Sequence, residues 1–104
     1  MKKKKVSKEI NPDINKIKNQ TFVHGEYKII WRKPKSCDGE CSDPSDRRIW
    51  LNPRISDDKW LLKVALDESI HACNFTLDNN HVYDMSDTIS DFLYKIGFRL
   101  EKKS

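Results

Sequence analysis

Apolar positions fall into stretches of different period along this 104-residue chain. Ile10, Ile14 and Ile17 are spaced four and then three apart, which predicts a short amphipathic helix after Asn11-Pro12. The run "TFVHGEYKIIWRK", residues 21–33, carries Phe22, Val23, Tyr27, Ile29, Ile30 and Trp31. Its β-branched and aromatic content predicts a strand, broken or bulged at Gly25. "KPKSCDGECSDPSD" reads as a turn-rich connection through Pro34, Gly39 and Pro44. "RRIWLNP" then predicts a second strand, stopped by Asn52-Pro53 and paired antiparallel with the first.

The period changes after Ser56-Asp57-Asp58, which supplies a cap and an acidic first turn. "KWLLKVALDESIHAC" has no Gly or Pro and is apolar nearly all round, at Trp60, Leu61, Leu62, Val64, Ala65 and Leu66. Such a helix is expected to lie inside the domain. "FTLDNN" breaks it. A second helix is predicted from about His81 to Ile96, with Val82, Met85, Ile89, Phe92, Leu93 and Ile96 as a core stripe. Gly97 ends it, leaving "FRLEKKS" as a terminal strand or coil. The fold class expected is α+β: a small antiparallel sheet packed by two helices. Residues 21–104 form the domain, and residues 1–20 a basic, flexible N-terminal arm.

Charge sharpens that division. Residues 1–36 hold 11 Lys/Arg against 3 Asp/Glu, a net of +8, whereas residues 37–104 hold 9 against 13, a net of −4. A basic arm on an acidic body can meet nucleic acid electrostatically. "HGEYKIIWRKPK" also interleaves Tyr27 and Trp31 with Lys28, Arg32, Lys33 and Lys35, a pattern on which bases can stack. No run approaches the ~18 apolar residues of a membrane span, and the basic start has no apolar stretch behind it. A cytoplasmic protein with no membrane partner is expected. The three cysteines, Cys37, Cys41 and Cys73, are then expected as free thiols. The C-x3-C pair, even with Cys73, His24 or His71 added, lacks the second cysteine pair of a closed zinc site.

"ALDESIHACNF", residues 65–75, carries the candidate chemistry. Helix positions four apart lie about 40° apart in azimuth, so Asp67 and His71 project to one side and could hold one ion between them. Glu68, about 100° round from Asp67, could reach a metal-bound water without binding the metal. That is the logic of H-E-x-x-H on a helix, here written D-E-S-I-H. Carboxylate oxygen is an accepted zinc ligand, and it tilts preference toward harder ions such as manganese or magnesium.

From about Cys37 to Leu100 the chain resembles small zincin-like metallopeptidases of bacteriophages and bacteria. "DRRIWLNP", "LDESIHAC", "LDNNHVYDMS" and "FLYKIGFRL" follow the order and spacing of that family's strand, "HELLHA" helix, acidic break and final "L..lGfR" helix. The resemblance implies a minimal zincin-like domain with Glu68 as general base. It implies zinc, with manganese the lesser candidate, on Asp67, His71 and a third ligand. The family's first histidine is Asp67 here, and its acidic pair falls on Asn79 and Asn80. His81 is therefore the substitute third ligand, with Asp84 as a further candidate. Two functions follow: a zincin-like metal-dependent hydrolase acting on peptide or protein substrates through a degenerate site, or a catalytically inactive scaffold. The inactive scaffold would bind a host protein or nucleic acid through the basic N-terminal region.

Overall fold

The computed structural model, which describes residues 10–101, splits the 21–33 run in two. Gly25 sits at φ +129°, a conformation that side-chain-bearing residues rarely adopt, and the chain reverses at Val23-His24. The result is a hairpin of β1 (Asn19–Phe22) and β2 (Gly25–Trp31), with Asn19 opposite Lys28 and Phe22 opposite Gly25. The turn-rich connection hides a third strand, β3 (Gly39–Cys41), followed by β4 (Arg48–Leu51).

The strand order is β1-β2-β4-β3. β3 pairs antiparallel with β4, and β4 runs parallel to β2, with Lys28 beside Arg48 and Trp31 beside Leu51. The sheet is therefore mixed, not antiparallel as the pattern suggested. The reason is the extra reversal: the chain leaves β2, returns as β3 at the far edge and turns back into β4. β3 has no β-branched residue, and its extended form comes from pairing with β4.

Alternation along the strands turns Tyr27, Ile29, Ile49 and Leu51 inward and puts Lys28, Ile30, Arg48 and Trp50 on the opposite face. α1 (Asp58–Cys73) covers the inner face and touches β1, β3 and β4. α2 (Asn79–Lys95) packs on α1 and makes no comparable contact with the sheet. α1 is thus the middle of three layers, which is why it is apolar nearly all round. Asp57 caps α1 by accepting from the Lys59 amide, and Asp78 caps α2 by accepting from the amides of Asn80 and His81.

Two expectations about the periphery change. Residues 11–18 form no helix, and they are not an arm. Ile14 is buried in the core, and the Asn11 backbone and side-chain amides donate to the carbonyls of Pro53 (2.7 Å) and Ile55 (2.5 Å). Residues 1–9, the rest of the expected arm, lie outside the described residues. On α2, the side against α1 is Val82, Ser86 and Ser90, whereas Ile89, Phe92 and Ile96 are exposed. Small serines let the two helices approach closely, so the large apolar stripe is rotated out of the core. Among the described residues no helix is long and apolar enough to cross a membrane.

Candidate functional site

Glu68 and His71 line one open cleft of about 500 Å³, together with Gly39, Glu40, Cys41, Phe75 and Asn79. The cleft forms where the edge strand β3 crosses α1. Gly39 permits that crossing: a Cβ there would stand 2.8 Å from Val64 Cγ1 and 2.9 Å from Glu68 Oε2. The Glu68 side chain is thereby roofed by β3 and nearly removed from solvent.

Burial is the chief cause that pushes the Glu68 carboxyl up to about 8, and the neighbouring charges of Asp67 and Glu40 add to it. At neutral pH Glu68 is accordingly mostly protonated. Its presence acts on Cys41 in turn: burial first, then the Glu68 charge, pushes that thiol up to about 12. His71 is half-buried, its ring 6.3 Å from that of Phe75. Its Nδ1 is shut away from solvent with no hydrogen-bond partner among the described residues.

Asp67 has a different neighbourhood. It faces α2, where its carboxylate accepts from the Ser86 hydroxyl and lies 3.7 Å from the ammonium of Lys63, one turn earlier on α1. Lys63 is a buried cation, its side chain 6% exposed against 24% for Asp67. Its Nζ donates to Ser86 Oγ (2.9 Å) and to the Tyr83 carbonyl (3.4 Å), and lies 3.5 Å from the centroid of the Tyr83 ring. The Asp67 charge is thus balanced by a cation the chain itself supplies.

His81 and Asp84 are both exposed on α2, and neither lines the cleft. Asn79 does line it, with a neutral amide at the position where the resembling family has an acid. Among the described residues no group of three or more His, Cys, Asp or Glu side chains is placed to hold a metal ion. The described residues therefore do not fit a zinc triad: Asp67 is bound to Lys63 and Ser86, Glu68 keeps its proton, and of the expected ligands His71 alone offers a buried nitrogen without a hydrogen-bond partner among the described residues.

Sequence reasoning put Asp67 and His71 on one side of the helix with Glu68 nearby; the cleft brings together Glu68 and His71, while Asp67 faces α2. It missed Lys63, although its place four residues before Asp67 on the same helix was a visible i,i+4 pairing signal. It also missed Gly39 and Cys41, which carry no local sign of contact with α1. No family model, curated protein or solved structure matches this chain.

Proposed function

We propose that this protein works as a nucleic-acid-binding protein on a zincin-like scaffold whose metal centre has lapsed. The observation that carries the lapse is the Lys63–Asp67–Ser86 network, which uses the first ligand position of the motif to neutralise a buried lysine. The α+β arrangement, with the motif helix beneath a sheet edge and a second helix behind it, supports the scaffold. The choice of partner is supported by charge. Residues 16–35 hold six Lys/Arg and one Glu, and Lys16, Lys18, Lys28, Arg32, Lys33 and Lys35 are all exposed. The neighbouring strand adds Arg48, stacked 5.0 Å from the centroid of the Trp50 ring, on the sheet face away from the helices. Exposed cations beside an aromatic suit a phosphate backbone with bases stacking against the ring.

The test measures metal content and nucleic-acid binding on the same untagged preparation. Wild-type protein should hold less than about a tenth of an equivalent of zinc or manganese after metal is added back. It should bind a mixed-sequence oligonucleotide with an affinity that falls linearly against log salt. Lys28→Ala with Arg32→Ala and Lys33→Ala should lower that slope by about one per lost phosphate contact. Asp67→Ala should lower stability by roughly 2–4 kcal/mol in chemical denaturation, because it leaves the Lys63 ammonium buried without its counter-charge. Near-stoichiometric metal that is lost in His71→Ala would overturn this reading and restore the hydrolase.

A further inference from the structure

The outward stripe of α2 is an apolar feature that the fold leaves without a use. Met85, Ile89, Phe92 and Ile96 are spaced four, three and four apart, the heptad spacing of a helix that meets another helix. Phe92 and Ile96 are 60% and 57% exposed, and Ile89 is 39% exposed. The helix has a bare flank as well. By azimuth, Asp84, Thr88 and Lys95 run beside the stripe on the side away from α1, and all three are exposed.

We propose that this stripe pairs with the same stripe of a second copy, antiparallel, about a two-fold axis passing near residue 90. That axis sets Ile89 against Phe92 and Met85 against Ile96 across the interface, so each apolar residue meets another. It also places Lys95 of each copy beside Asp84 of the other, within about two residues of axial offset, or roughly 3 Å. Lys95 already pairs with Asp91 at 3.0 Å on its own helix, and the second copy's Asp84 adds a further acceptor.

The charges choose this occupant and this direction. In a parallel two-fold pair this flank of one copy would face the α1 side of the other, so Lys95 and Asp84 could not meet, whereas the antiparallel pair puts both flanks on one side and makes the helix its own complement. Antiparallel macrodipoles act in the same sense. The 17-residue helix is about 25 Å long and presents a single stripe, so the interface falls at the small end of specific contacts. A weak dimer with a dissociation constant on the order of micromolar follows.

Sedimentation velocity on the full chain from about 5 to about 500 μM should show a concentration-dependent shift from monomer to dimer. Phe92→Glu combined with Ile96→Glu should hold the protein monomeric throughout with an unchanged circular dichroism spectrum, since both side chains are exposed. Asp84→Lys alone and Lys95→Glu alone should each weaken the dimer by roughly 2- to 30-fold through the two symmetric pairs. The double charge exchange should recover most of that loss. Monomer at every concentration would overturn the proposal, as would a dimer indifferent to the Phe92/Ile96 variant. Single charge variants that are not rescued by the exchange would overturn the antiparallel register.

Discussion

Glu68 is the residue whose environment departs furthest from what its type prefers. A carboxyl roofed by β3 at Gly39 and flanked by Asp67 and Glu40 keeps its proton up to about pH 8, from an ordinary value of 4.5. The consequence for stability has a definite sign. Between those values the unfolded chain releases the Glu68 proton and the folded chain retains it, so the folded state binds more protons and loses stability as pH rises. This contribution is fully present below about pH 4.5 and is lost as pH climbs through about 8. Glu68→Gln mimics the protonated form. It should flatten this part of the decline and stabilise the protein at pH 8 by an amount on the order of a few kcal/mol. Urea midpoints at half-unit steps from pH 5 to pH 9 would check it, and a variant with the wild-type slope would count against the buried, protonated carboxyl. The residue itself was legible in the sequence. Its protonation was not, because the groups that desolvate it come from a strand some thirty residues earlier.

At the scale of elements, the helix positions were legible in the sequence, and the strand pairing and the buried side of α2 were not. α1 starts within the Ser56-Asp57-Asp58 segment expected to cap it, and α2 ends against Gly97 as expected. Capping and helical period are local signals, written within a few residues of the element they shape. β3 is the contrary case. Gly39-Glu40-Cys41 has weak strand preference and is extended because Leu51, Trp50 and Ile49 lie opposite it. Its position depends on Gly39 passing close to α1, which gives a measurable outcome. Gly39→Ala puts a methyl 2.8 Å from Val64 Cγ1 on a backbone that itself accepts alanine, so the effect is steric. Chemical denaturation should show a loss of about 1–3 kcal/mol. A second substitution, Val64→Ala, should show positive coupling with it, since the two side chains compete for one space. Additive losses would mean that β3 stands clear of the helix.

For the molecule as a whole, the segment around Asn11 and Ile14 is part of the body. Ile14 belongs to the core cluster with Tyr27, Ile29, Ile49, Leu51 and Leu61, and the Asn11 bonds to Pro53 and Ile55 tie this segment to the loop before α1. Ile14→Ala should therefore lower stability by about 2–4 kcal/mol, read as an earlier urea midpoint at unchanged slope. A flexible arm would show no change. The sequence alone determined the α+β class, both helices, the cap segment of α1, the runs that became β2 and β4, and the place of Glu68 and His71 on one helix. Each of those rests on residues near one another in the chain, where period, cap chemistry and turn residues act directly. Only the tertiary structure decided the parallel pairing of β2 with β4, the burial of Ile14, the outward turn of the α2 stripe and the binding of Asp67 to Lys63 and Ser86. These are contests between distant segments for the same buried space and the same charges. Their outcome follows from which surfaces fit closest: two serines on α2 allow a nearer approach than its apolar stripe, and a buried lysine takes the carboxylate that a metal would need.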